Sequence, residues 1–199
     1  QDIINASAQS TTTVGLFIDG GLGIDNIQGG DGADTILGGE GVDLIEGNLG
    51  NDLITLGAGQ DTYVQVAGDS TAATAITNAV ASAALTSGAS FLTFGNGVDV
   101  ITDFTSSAAG FTNDKLDAAV NTTLAQLDTE TALVVGDRYA MQGIWNSSLN
   151  TFTYNLTGSD MLYFVAAAGT GINVAANYGT SSVVLVGAAT DWNLTNNII

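Results

Sequence analysis

Residues 20–64 read GGLGIDNIQ (20–28), GGDGADTIL (29–37), GGEGVDLIE (38–46), GNLGNDLIT (47–55) and LGAGQDTYV (56–64). Each nine-residue unit carries Gly at its fourth position, Asp at its sixth and an apolar residue at its eighth. A fixed short period of this kind encodes one structural turn repeated along the chain. Glycines at the first, second and fourth positions let the backbone enter left-handed regions and approach a neighbour closely. The last three residues read as a short strand whose middle residue points inward. Ile27, Ile36, Ile45, Ile54 and Tyr63 are therefore the expected inner stack.

If two units complete one coil, unit n stacks on unit n+2 and the strands fall into two parallel sheets. Asp25 then stands next to Asp43, Asp34 next to Asp52, and Asp43 next to Asp61. Calcium takes about six to eight hard oxygen ligands at flexible distances. One turn falls short of that number, whereas two adjacent turns supply it from carboxylates and backbone carbonyls. The expected site residues are Asp25, Asp34, Asp43, Asp52 and Asp61, with the turn glycines Gly21, Gly23, Gly30, Gly32, Gly39, Gly41, Gly50 and Gly59. About three ions follow from these pairs. FGNGVDVIT at 94–102 fits the same frame, with Asp99 as carboxylate and Ile101 as core residue, and adds a fourth.

A lone GxGxD is usually an ordinary turn. Five units in frame favour calcium over the alternative, a metal-free glycine-rich solenoid. Asp31 and Glu40 occupy the variable third position and read as solvated. Asn48 replaces a glycine in a place where left-handed backbone tolerates it. Leu56 and Phe94 replace the first glycine, so weaker binding is expected at the edges of the array.

The composition narrows the function. The 199 residues include 20 acidic side chains against only Lys115 and Arg138, a formal charge of −18. Nucleic acid needs a basic patch and is excluded as a partner; other anionic partners are repelled. There is no His and no Cys, which removes Ser-His and Cys-His nucleophiles, ordinary zinc sites and disulfides. A two-carboxylate glycosidase stays formally open, but Asp128, Glu130, Asp137 and Asp160 show no distinctive arrangement, and the chain is read as not an enzyme. No apolar run approaches the roughly twenty residues of a membrane helix, and no charged-then-apolar leader opens the chain.

Two regions are expected. Residues 1–104 form the calcium-binding parallel roll, with 1–19 as a degenerate first coil (Gly15, Ile18, and Leu16 at the carboxylate position) and 65–93 looped out. Within that insertion, Ile76 and Val80 suggest a short helix over 71–84, against an irregular loop. Residues 105–199 form an antiparallel β cap. Its strands are RYAMQGIWN and TFTYNL around a polar turn at Asn146 to Asn150, then MLYFVAAA and SSVVLVGA. Tyr139, Trp145, Phe152, Tyr154, Tyr163 and Phe164 read as a hydrophobic core rather than a carbohydrate-stacking site.

With these residues in view, the chain resembles the carboxy-terminal region of RTX proteins exported by type I secretion. The resemblance is strong over 20–64 and weaker through VDVITDF (98–104) and NDKLD (113–117). It implies an all-β fold, a parallel β-roll followed by an antiparallel β cap, with calcium folding the roll after export. It also implies an uncleaved secretion signal at the end of the chain, with which DWNLTNNII is compatible, and a further ligand in Asp103. The function it suggests is a calcium-dependent folding and assembly module of a secreted surface protein (S-layer, adhesin or matrix). Self-association or a cell-surface polysaccharide are the partners besides calcium. The alternative is the secretion and folding module of an RTX hydrolase whose catalytic domain lies elsewhere. Leu37, Leu44, Leu53 and Val64 point outward as docking residues, or are covered by the cap.

Overall fold

The computed structural model describes residues 1–8, 14–66, 68–69, 73–77, 85, 87–94, 98–105, 114–118, 124–127, 133–166, 178 and 181–188. The chain order is β1 (Ile3–Asn5), β2 (Phe17–Asp19), β3 (Asn26–Gln28), β4 (Thr35–Gly41), β5 (Leu44–Glu46), β6 (Leu53–Gly59), β7 (Thr62–Gln65) and β8 (Ala73–Thr77). Then follow β9 (Phe91–Phe94), β10 (Asp99–Ile101), β11 (Lys115–Ala118), β12 (Leu124–Leu127), β13 (Arg138–Asn146), β14 (Thr151–Tyr154), β15 (Asp160–Val165) and β16 (Val183–Leu185). The fold is all-β, with no α-helix among the described residues.

The nine-residue period produces the expected alternation. Strands β1, β3, β5, β7 and β11 form one parallel sheet. Strands β2, β4, β6 and β10 run parallel in the other. Register follows the two-unit coil: Ile27 faces Ile45, Ile45 faces Tyr63, and Ile36 faces Ile54. All five are fully buried between the sheets, joined by Ile18, Ile101 and Leu116.

The second sheet does not stop at the roll. β16 pairs parallel to β10, and the order then continues antiparallel through β15, β13, β14, β9 and β8, with β12 beside β13. β15 and β16 are buried on both faces. Met161, Tyr163, Val183 and Leu185 close the end of the roll's core, while Leu162, Phe164 and Val184 belong to a second core with Phe94, Tyr139, Phe152 and Tyr178. Two-sided burial is why this segment reads as a continuous apolar run rather than an alternating one.

Two local expectations change. Residues 73–77 are neither helix nor loop but a strand paired with β9, where the Ala- and Thr-rich segment gains a partner that sequence periodicity does not reveal; residues 78–84 lie outside the described residues. Phe94 does not open a sixth coil either. It ends β9, donating its N–H to the Asn150 carbonyl and packing in the second core, and the coil resumes at Val98 and Asp99. Of the outward-facing residues, Leu44 and Leu53 are exposed and Leu37 and Val64 half-buried. The C-terminal DWNLTNNII lies outside the described residues.

Candidate metal centre

The sixth residue of each unit sits where the turn enters its strand. There its side chain is drawn under the neighbouring coil by a hydrogen bond repeated at each step. Along one edge the Asp25 N–H donates to Asp43 Oδ1 (2.9 Å) and the Asp43 N–H to Asp61 Oδ1 (2.8 Å). Along the other the Asp34 N–H donates to Asp52 Oδ1 (2.8 Å) and the Asp52 N–H to Asp99 Oδ1 (3.1 Å). The structure thus gathers the six expected carboxylates into two columns, 25–43–61 and 34–52–99, each residue at most 2% exposed.

The 25–43–61 column is longer at both ends than the glycine pattern shows. The Asp2 N–H donates to Asp25 Oδ1 (2.6 Å), with Asp2 in register opposite Asp25, and the Asp61 N–H donates to Asp114 Oδ1 (3.1 Å). Asp2-Ile3-Ile4 and Asp114-Lys115-Leu116 keep the carboxylate-x-apolar spacing, and before Asp114 Thr112 stands in the glycine position. That spacing is the signal that could have found them. Leu16 donates its N–H to Asp34 Oδ1 (2.7 Å) from the carboxylate position of the first coil, and so contributes no carboxylate there. Asp103 closes the fifth turn, accepting the N–H groups of Leu56 (2.8 Å) and Gly57 (2.9 Å).

The second oxygen of each carboxylate distinguishes Asp34 and Asp99 from the other four. The buried Oδ2 atoms of Asp25, Asp43, Asp52 and Asp61 have no hydrogen-bond partner within the protein. Asp34 Oδ2 accepts the Gly30 N–H of its own turn (2.7 Å), and Asp99 Oδ2 accepts the Tyr63 hydroxyl (2.7 Å). Buried anionic oxygens without donors are costly unless a cation satisfies them. Among the described residues no three carboxylates converge on one point. A cation held here would therefore draw its remaining ligands from backbone carbonyls, the mixed oxygen set that suits calcium and excludes softer metals.

Burial first, and neighbouring charge second, push Asp43, Asp52, Asp61 and Asp99 above the usual carboxylate range. Asp61 rises to about 6, beside Asp114 and Asp43, and Asp43 rises in the same direction. Asp52 is raised by burial and by the charge of Asp99. Asp99 is also raised by burial, against the Tyr63 hydroxyl, which stabilises its ionised form. Asp69, whose Oδ2 accepts the Val66 N–H (2.8 Å), rises to about 6 through burial and the charge of Glu46. The array stores negative charge that wants a cation.

The turns pack as closely as their composition allows. Gly21, Gly23, Gly39, Gly41, Gly50 and Gly59 have positive φ, as does Asn48 at 62°. A Cβ on Gly41 would overlap the Gly23 carbonyl oxygen, and one on Gly59 the Gly41 oxygen. Gly30 and Gly32 are not among the positive-φ residues. Their turn is the one closed by the Gly30 to Asp34 bond.

Residues 19–54 and 37–64 match the family model of the RTX calcium-binding nonapeptide repeat (4 copies). No curated protein matches the chain. Among solved structures the chain is similar to the AlgE6R3 subunit of the Azotobacter vinelandii mannuronan C5-epimerase, at 23% identity and a TM-score of 0.50, over 96% of this chain and 83% of that one. That likeness concerns the fold, a β-roll. Residues 19–64, laid out as a two-column roll, thus match RTX calcium-binding nonapeptide repeats, and the fold around them is similar to that of a β-roll subunit.

Proposed function

We propose that this chain is a calcium-dependent folding and assembly module of an extracellular, type I-secreted structural protein of the cell surface. The observation that carries the reading is the set of four buried, unpartnered carboxylate oxygens, on Asp25, Asp43, Asp52 and Asp61. Calcium between Asp25 and Asp43, and between Asp43 and Asp61, would satisfy the first column. In the second, Asp34, Asp52 and Asp99 would hold it, with both oxygens of Asp34 and of Asp99 already accepting hydrogen bonds and Asp52 Oδ2 the unpartnered one. The turn carbonyls from Gly21 to Gly59 complete each set.

Bound calcium supplies charge neutralisation and links between coils, and the chain's own residues do the rest. Extracellular calcium modules have dissociation constants of about 0.1 to 1 mM, so they stay empty in cytosol and fill outside. At ten to a hundred times that constant each site adds roughly 1.4 to 2.7 kcal/mol to the folded state. Three or four sites together rival the whole stability of a typical domain, about 5 to 15 kcal/mol. The exposed Leu44 and Leu53 and the near absence of Lys and Arg support a surface or assembly role. One observation favours a second reading, the folding module of an enzyme: a similar fold occurs in a subunit of an epimerase.

The test is circular dichroism with light scattering on the chain, titrated from chelator to about 10 mM calcium, a range that brackets such affinities. A cooperative gain of β signal accompanied by particle growth is expected. Folding without growth would favour the enzyme-module reading, and a chain folded in chelator and indifferent to calcium would overturn both.

A further inference from the structure

We propose that the crevice between the fourth turn of the roll and the β13–β14 hairpin binds one ring of a neutral glycan. The crevice has a volume of about 190 Å³, and Asn51, Leu53, Val100, Trp145, Ser147 and Asn150 line it. It lies on the outer face of the second sheet, away from the inner stack.

Trp145 sets the chemistry. Tyr139, Phe152, Tyr154, Tyr163 and Phe164 are at most 5% exposed and serve as core, whereas Trp145 is only partly buried. Its ring is held by an edge contact with Phe94 (centroids 6.2 Å apart), and its backbone N–H donates to Asp160 Oδ2 (2.8 Å). Its indole Nε1 is buried, so the surface it leaves accessible is ring carbon. Asn51, Ser147 and Asn150, neutral residues that both donate and accept, line the same crevice beside the buried Asp52. A rigid apolar plate with a few neutral hydrogen-bonding groups is the pattern of a small-ligand site. A pyranose, apolar on its C–H face and hydroxylated at its rim, matches it.

The hairpin wall is preformed. Asn150 holds φ at 48° and its carbonyl accepts the Phe94 N–H (2.9 Å), while Asn146 Oδ1 accepts the Leu149 N–H (3.2 Å). Charge selects a neutral sugar over an acidic one: neither Lys115 nor Arg138 lines the crevice, and the chain carries −18. The volume lies below the roughly 300 Å³ at which drug-sized pockets begin, which limits occupancy to one ring of a longer chain. The opposite wall, Asn51 and Asp52, belongs to the fourth turn. Its ordering by calcium rests on the function proposed above; the sugar contacts do not.

The experiment uses the full chain in calcium with Trp192→Phe, so that Trp145 alone reports by fluorescence. Maltohexaose, cellohexaose and mannohexaose are titrated, with hexamannuronate and tetramethylammonium as charged probes. At least one neutral hexasaccharide should shift the Trp145 emission in the millimolar range. Ser147→Ala and Asn150→Gly, the latter compatible with the left-handed turn, should each weaken that binding about fivefold, the loss expected of one hydrogen bond. Circular dichroism on the same samples verifies folding. A folded chain that no neutral sugar shifts, a shift unchanged in both variants, or a response to the charged probes alone overturns the proposal. Equal sugar binding in chelator by a folded chain upholds the crevice and removes calcium-dependent folding.

Discussion

Asp43 stands in the middle of its column, so replacing it tests the two sites it would share. In Asp43→Asn the side-chain carbonyl can still accept the Asp25 N–H, which the native Oδ1 does at 2.9 Å, while the charge and the unpartnered Oδ2 are lost. Burial, and after it the charge of Asp25, raise the Asp43 pKa in the metal-free fold. The ionised native side chain therefore opposes folding at neutral pH without metal, and the neutral amide relieves that opposition. In chelator the variant should be as stable as the parent or more so. In calcium it loses two sites, each worth roughly 1.4 to 2.7 kcal/mol at ten to a hundred times the dissociation constant, a deficit of roughly 3 to 5 kcal/mol. For a chain of this size that lowers Tm by about 6 to 20 °C. Urea unfolding followed by circular dichroism, in chelator and in about 10 mM calcium, measures both arms, with Asp31→Asn at a variable position as control. If Asp43→Asn loses as much in chelator as in calcium, the shared-site argument is wrong and the residue is only a structural acceptor.

Acidity should act with opposite signs in the two conditions. Asp61 and Asp69 lie at about 6 in the metal-free fold, above the ordinary 3.8, chiefly through burial. A raised folded pKa means that the folded state takes up protons first. In chelator the urea midpoint should therefore rise as pH falls from 8 through about 6, levelling off near 3.8, whereas the calcium concentration needed for folding should increase over the same interval. Gly41→Ala and Gly21→Ala separate crowding from backbone conformation. Both positions have positive φ, but only at Gly41 does a Cβ meet a carbonyl, while Gly21 faces open space. Gly21→Ala should cost roughly 1 to 2 kcal/mol, and Gly41→Ala about 1 to 3 kcal/mol more. Equal losses in calcium-saturated urea melts would contradict the close approach of the two turns.

The inner stack, the eighteen-residue stacking and the two sheets are readable from the period of nine, because each depends on spacing alone. A glycine-anchored pattern does not find Asp2 and Asp114, whereas the structure needs only a carboxylate one step before a strand with an apolar middle residue. The difference between Asp34 and Asp43 was not legible either. It depends on whether a turn folds back onto its own carboxylate, as Gly30 does, and GGDG and GGEG look alike in this respect. The engagement of Asp99 is a cross-sheet event: Tyr63, placed inward like the isoleucines, carries a hydroxyl that reaches the opposite column. The pairing of β8 with β9 was hidden because an Ala- and Thr-rich strand shows no strong alternation, and its register depends on β14, far along the chain.

The columns also explain how calcium at the turns can govern the antiparallel strands. Each backbone N–H in a column is satisfied by the carboxylate one coil further on, so a coil is fully bonded only when its successor is in place, a nearest-neighbour chain of dependence. At the C-terminal end the successors are Asp99 and Asp114. Asp99 opens β10, onto which β16 pairs, and Asp114 precedes β11, which pairs with β7. Met161, Tyr163, Val183 and Leu185 can cover Ile101 and Leu116 only once those strands are docked. Neutralising the central aspartates therefore stabilises more than the turns that hold the ion: it builds the sheet edge on which β16, and through it β15 and β13, is assembled. The sugar-sized crevice stands at the same junction, one wall from the fourth turn and one from the hairpin. A chain of 20 acidic and two basic side chains has few internal means of supplying that neutralisation, and the proposed calcium-dependent folding would draw it from outside.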